Sequence, residues 1–327
     1  MPRRLQRCVI HIGTEKTGTS SIQQFLAANR RKLAAEGVLY PRYTGARQGS
    51  QWGFVAAVAD DVWRTGIGAR LGIHSEHVRT RFAERFKSGI DEEVRRFRKG
   101  QTLLISCEHF HSRLVTRAMI LKLKDLLDNW VREYQIIVYF RRQDRVAISK
   151  YSTALKTGYT NPAILHAFNT NQLPYYYNYS AIYENWAEVF GASVMRAGLF
   201  ERSEFIQGDL IKDFCDKANL RLTGQLRQGR ANESLSERGV EVFRRLNKHW
   251  PQAIEGSRNP VRDALVNVLS KLYNGKNYPV SRWEAEAFFN QFRDCNEKLA
   301  CQAFPGRDRP LFSCNFDDYP VEQPWRN

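Results

Sequence analysis

The chain has 327 residues, 43% hydrophobic and 26% charged, with 50 Lys and Arg against 34 Asp and Glu. That length can bury a sizeable core, in one large domain or two modest ones, and the net charge of +16 favours polyanionic partners. No apolar run approaches the roughly 18–20 residues needed to span a bilayer, and no zinc-finger, RNA-recognition or basic-zipper pattern appears, so nucleic acid is disfavoured and peripheral membrane contact stays open.

The opening "MPRRLQRCVIHIG" is basic and passes directly into a strand-like segment. It lacks the apolar region and cleavage site of a signal peptide, so a cytoplasmic location is expected. "CVIHI" (8–12) reads as the first buried strand, with His11 a satisfied core histidine. A helix is expected over Ser20 to Glu36, where Ile22, Phe25, Leu26 and Leu33 recur at helical spacing. "GVLYP" (37–41) is a weaker strand. Residues 45 to 100 read as a helical insertion, loop first and then one or two charged helices.

"TLLISC" (102–107), "QIIVYF" (135–140) and "SVMRAGLF" (193–200) are further buried strands. Between and after them, helical patterns cover Leu114 to Trp130, Gln143 to Lys156, Ser180 to Phe190 and Phe205 to Asn219. From about 230 to 327 three more helical stretches follow, the first opened by Ser234 and Glu237 at the spacing of a capping box. Apolar strands alternating with amphipathic helices predict an α/β fold: a P-loop-like three-layer arrangement with a mainly parallel central sheet, in a single domain. Cysteines stand at 8, 107, 215, 295, 301 and 314 without a CxxC pair, and free thiols are expected.

Ligands of such sheets sit outside the carboxyl ends of the strands. After the first strand comes "HIGTEKTGTSS". A strand–loop–helix unit offers backbone N–H groups and a helix N-terminus to an anion. In an ATP-binding Walker loop the lysine follows the last glycine and a hydroxyl holds magnesium. Here Lys16 precedes Gly18, and Thr19, Ser20 and Ser21 follow it. Lys16 can reach the far end of the anion, and the hydroxyls of Thr17, Thr19, Ser20 and Ser21 can donate to it. No acidic residue stands where a magnesium site would be, so a metal-free anion is expected.

"EKTGTSS" resembles the 5′-phosphosulfate loop of the PAPS-dependent sulfotransferases, except that Glu15 stands where proline is common, a change read as one of loop stiffness. PAPS, 3′-phosphoadenosine 5′-phosphosulfate, is the co-substrate this resemblance implies, with no metal. In that family an arginine at a strand end and a serine eight residues on bind the 3′-phosphate. Arg141 and Ser149 in "RRQDRVAIS" match, with Arg142 an adjacent alternative and Arg145 a helper. The stretch around "YNGKNYP" resembles the basic C-terminal cofactor loop of glycan sulfotransferases, which makes Lys276 a candidate. Arg230 in "GRANESLS" is a further one, and "LFSCNFDDYP" resembles the tail of bacterial sulfotransferase-like proteins.

Sulfuryl transfer needs a base for the acceptor hydroxyl or amine and a positive partner for the leaving oxygen. Lys16 suits the second role. "CEHFH" offers Glu108, His109 and His111 for the first. Glu108 is favoured if the strand continues through it, because His109 then points to the other face; if the strand has ended, His109 or His111 is the better base. Tyr175, Tyr176 and Tyr177 can form an aromatic platform for a sugar ring, whereas Tyr179, Tyr183 and Trp186 recur at core spacing. The resemblance implies a glycan acceptor, which the basic charge suits if it is acidic. A magnesium-dependent kinase-like enzyme and a non-catalytic nucleotide- or polyanion-binding protein are the alternatives.

Overall fold

The computed structural model describes residues 5–43, 50–98, 100–221, 234–250, 253–254, 257–275 and 279–322. The chain forms two compact units. The first comprises Met1–Phe140, Asn178–Ala231 and Leu299–Gly306; the second comprises Arg141–Tyr177, Asn232–Lys298 and Arg307–Asn327.

The first unit holds the sheet. Its strands are β1 (Leu5–His11), β2 (Val38–Leu39), β3 (Thr102–Ser106), β4 (Val131–Phe140) and β5 (Met195–Leu199), all parallel, in the order β2-β3-β1-β4-β5. β1 is therefore central, between β3 and β4. The β3 strand is buried along its whole length, as a parallel strand covered on both faces must be. The register places His11 opposite Ser106 on one side and Ile137 on the other.

The helices, in chain order, begin with α1 (Thr19–Ala28), α2 (Arg30–Ala35), α3 (Trp52–Val58), α4 (Gly66–Leu71), α5 (Glu76–Arg96), α6 (His109–Arg113) and α7 (Arg117–Leu127). α8 (Gln143–Lys156) lies in the second unit, and α9 (Tyr179–Phe190) and α10 (Leu210–Lys217) in the first. Side chains alternate across a strand. Val9, Leu104, Ile137 and Tyr139 accordingly meet Ile22, Phe25 and Leu26 of α1, Leu33 of α2 and Phe214 of α10. On the opposite face Phe140 packs on Tyr179 of α9, ring centroids 5.0 Å apart, and α7 lies against both α9 and α3. Helix, sheet and helix form three layers, as the alternation of strands and helices predicts.

The remaining helices are α11 (Glu237–His249), α12 (Pro260–Leu272), α13 (Arg282–Asn290) and α14 (Arg293–Ala303), with a two-residue hairpin of β6 (Ala253–Ile254) and β7 (Ser257–Arg258) that the sequence did not announce. Tyr151, Leu155, Leu235, Val240, Phe243 and Val266 make one core of the second unit. Tyr177, Phe288 and Phe292, with Val146, make another.

Three local expectations are corrected. The helix expected over Ser20 to Glu36 breaks at Asn29, whose backbone leaves the helical region and whose side chain donates to the Phe25 carbonyl at 2.8 Å. The N-cap of α11 is Ser236, accepting from the Gly239 N–H, and not Ser234. The stretch from Ser281 to Phe304 is two helices, not one; a capping box stands at Ser281 and Glu284. The insertion is helical, with α5 a single helix capped by Ser75. All six cysteines are free. Among the described residues no helix is long and apolar enough to cross a membrane.

Candidate functional site

The loop after β1 is fastened to the carboxyl ends of its neighbours. Ile12 N–H donates to the Ile137 carbonyl at 2.9 Å, Cys107 N–H donates to the His11 carbonyl at 3.3 Å, and the Thr14 hydroxyl donates to the Tyr139 carbonyl. Gly13 and Gly18 have φ of +62° and +77°, a region that L side chains rarely adopt. A Cβ at Gly18 would also lie 2.4 Å from Leu210 and 2.8 Å from Phe200. Lys16 is half-buried and itself left-handed, with φ +70°. A non-glycine residue held there stores strain, a pattern concentrated at ligand clamps. The loop ends at the N-terminus of α1, whose first turn carries no acidic residue, so the partial positive charge of the helix end is uncompensated there.

The hydroxyls divide into two sets. Thr17 is fully buried, and its hydroxyl donates to the Thr14 carbonyl at 2.5 Å; Thr19 is 5% exposed and donates to the same carbonyl at 3.3 Å. Both protons are thus committed to the loop itself, which corrects their expected role as donors to the anion. Ser20 is exposed and Ser21 half-buried. Among the described residues their hydroxyls make no hydrogen bond to the protein.

β3 ends at Ser106, and 109–113 is the short helix α6. The alternation that would have turned His109 away from Glu108 therefore does not apply. Both Glu108 oxygens are already engaged. Oε2 accepts from Gln23 Nε2 at 2.8 Å and from Ser50 Oγ at 2.9 Å, and Oε1 accepts from Trp52 Nε1 at 3.1 Å. Burial pushes this carboxyl up, but the His109 ring and the Gln23 and Ser50 hydrogen bonds outweigh it and hold it below the ordinary carboxylate range. Gln23, Ser50 and Trp52 come from α1 and from the insertion, and no local sequence signal links them to this site.

His109 Nε2 lies 3.7 Å from Glu108 Oε1, and its Nδ1 lies 4.0 Å from Glu15 Oε1 and 3.3 Å from Ser112 Oγ. The ring packs on Trp52 at 5.2 Å, and the Arg70 guanidinium covers the Trp52 ring, also at 5.2 Å. Burial lowers the His109 pKa; the Glu108 and Glu15 carboxylates offset this only in part, and Arg113 and Arg70 oppose them. At neutral pH the ring is therefore an uncharged imidazole, able to take a proton. Glu15, expected to alter loop stiffness more than chemistry, also ties the loop to α6: its N–H donates to His111 Nδ1 at 3.3 Å. His111 is 1% exposed and serves the loop in this way.

His11 is buried as expected, but only half satisfied. Nδ1 bonds Ser106 Oγ at 2.8 Å, while Nε2 has no hydrogen-bond partner among the described residues and the ring lies against Tyr139 and Phe214. Burial lowers its pKa to about 3.

In the second unit Arg141 stands two residues before α8, next to its N-cap Arg142, and Ser149 lies nearly two turns into the helix; both are half-buried. The Ser149 hydroxyl accepts from Ser234 Oγ at 3.3 Å, and the Ser234 carbonyl accepts from Gly275 N–H at 3.1 Å. The start of the basic "GKNYP" loop is thereby brought to Ser149. Lys276 and Arg230 themselves lie outside the described residues. Arg142 is not an available alternative to Arg141: it is 4% exposed and its guanidinium is paired with Asp144, at 2.8 and 2.9 Å. Arg145 is likewise engaged, with Asp318. The tyrosine platform is also corrected, because Tyr177 is core, packed on Phe288 and Phe292, and Tyr176 lies partly buried under Lys150. Tyr179, Tyr183 and Trp186 are buried as their spacing predicts.

No family model matches the chain, and no solved structure matches it. The chain is similar to an uncharacterized protein of Archaeoglobus fulgidus, 26% identical over 217 residues, which cover 64% of this chain and 56% of that protein. The matched region thus spans little more than half the length of that relative.

Proposed function

We propose that the protein is a PAPS-dependent sulfotransferase that moves a sulfuryl group to a hydroxyl or amine of a glycan acceptor. The observation that carries this reading is the glycine-bounded loop from the central strand into α1. It holds Lys16 in a strained left-handed conformation and ends at a helix N-terminus without acidic residues. In the proposed reaction the helix N–H groups, Ser20 and Ser21 hold the 5′-phosphosulfate, and Arg141 with Ser149 holds the 3′-phosphate. The acceptor oxygen attacks sulfur as its proton passes to the base, and the bond from sulfur to the phosphate oxygen breaks. Lys16 stabilises the charge on that oxygen as adenosine 3′,5′-bisphosphate leaves.

Glu108 was the sequence's first choice of base. Three donors already occupy its carboxylate, which favours His109 as the base and Glu108 as the group that keeps its ring basic. Labelled sulfate transfer from PAPS to a panel of glycans tests the proposal. Wild-type protein should transfer, and Lys16→Ala should lose about a hundredfold or more in kcat. His109→Gln should lose the acidic limb of the kcat/KM profile. Glu108→Gln should keep residual turnover and move that limb to lower pH, because the carboxylate raises the His109 pKa. Bisphosphate binding without transfer to any acceptor would favour a non-catalytic binding protein.

A further inference from the structure

Residues 311–320, "LFSCNFDDYP", are fastened to the second unit more elaborately than a surface tail requires. Arg142 is the centre. Its guanidinium forks onto Asp144, donates from Nη1 to the Ser313 carbonyl at 2.9 Å and the Asn315 carbonyl at 2.7 Å, and lies 4.0 Å over the Phe316 ring. The Tyr319 hydroxyl donates to Asp144 Oδ2 at 2.5 Å. Arg145 pairs with Asp318 at 2.5 Å and covers the Tyr319 ring at 4.6 Å. Further along, the Arg282 N–H donates to the Pro320 carbonyl at 2.7 Å, and the Arg282 guanidinium meets Asp317 at 3.2 Å. Phe316 and Tyr319 pack with Ile148, Val280 and Ala285.

Asp144 is fully buried. A buried ion pair is costly unless its remaining hydrogen-bonding groups are satisfied, and here the tail supplies those partners. The two places it grips are informative. One is the N-cap and first turn of α8, Arg142 to Arg145, which follow Arg141. The other is Val280 to Arg282, directly after the basic loop that begins at Gly275 and carries Lys276. The tail thus clamps the backbone beside both candidate 3′-phosphate segments of this unit, and Ser149 joins them through Ser234.

We propose that residues 311–320 are a positioning strap for the 3′-phosphate, fixing the start of α8 so that Arg141 and Ser149 are pre-set for that group. This rests on the sulfotransferase reading. The strap residues touch no ligand; they act through Arg142, Asp144 and the backbone, as supporting residues around a binding group do.

The test uses the full chain and two nucleotides that differ only at the 3′ position: adenosine 3′,5′-bisphosphate and adenosine 5′-monophosphate, which lacks the 3′-phosphate. Calorimetry would be run on wild type, Tyr319→Phe and Asp318→Asn. Both variants keep the packed rings and remove one fastening each. Bisphosphate affinity is expected to fall about threefold or more in each variant, with monophosphate affinity unchanged. Ser149→Ala serves as reference and should lose the same increment directly. An equal fall for both nucleotides would reduce the strap to general stabilisation and overturn the proposal, as would no change for either. Failure of the underlying reading would look different: wild type itself would show no preference for the nucleotide bearing the 3′-phosphate.

Discussion

Three side chains donate to Glu108, and they explain why its role is hard to read from the sequence. The run "CEHFH" shows that polar groups follow a strand, and it directed attention to Glu108, His109 and His111 together. It cannot show that Gln23, Ser50 and Trp52, 85, 58 and 56 residues away, converge on one carboxylate. No local pattern records such contacts. The same limit applies to Thr17 and Thr19, whose residue type suited an anion but whose hydroxyls turn inward to Thr14. His11 makes a residue-scale prediction. Its folded pKa is depressed to about 3, below the ordinary value near 6.5. As pH falls through about 6.5, the unfolded chain therefore gains a proton that the folded chain refuses, and stability falls. The slope from this group is about 1.4 kcal/mol per pH unit. Urea midpoints measured between pH 7 and 5 should fall less steeply in His11→Gln than in wild type. Equal slopes would contradict the account of His11 as a buried neutral ring.

At the scale of elements, hydrophobic periodicity carried most of the information. The buried runs at 102–107, 135–140 and 193–200 became β3, β4 and β5, and Gln143–Lys156 is α8 as predicted. Ends were less legible, because they depend on caps and single backbone angles. Ser234 and Ser236 both precede an acidic first turn, and spacing alone chose the wrong one. Ser236→Ala should lower stability by about 1 kcal/mol, the usual cost of losing an N-cap. Ser234→Ala should leave the cap intact and instead remove the hydroxyl that reaches Ser149. Thermal unfolding of the two variants distinguishes them, and equal destabilisation would show the cap assignment to be incomplete. The break at Asn29 was invisible for a similar reason: Asn is tolerated in a helical pattern, yet here its side chain bonds back to Phe25 and the helix stops.

For the whole molecule, the alternation of strand and helix was enough to predict a parallel sheet covered on both faces, and β1 at its centre carries the loop that drew attention first. What the sequence could not supply is the chemistry of the anion, since a glycine–hydroxyl loop at a strand end suits several phosphates. The excess of 16 positive charges adds that binding of any such anion should weaken as salt rises. The central claim is tested most directly by calorimetry with adenosine 3′,5′-bisphosphate and with ATP, each with and without magnesium. The account predicts that the bisphosphate binds more tightly, that magnesium makes no difference, and that Arg141→Ala loses the binding. Preferential, magnesium-dependent binding of ATP would contradict it.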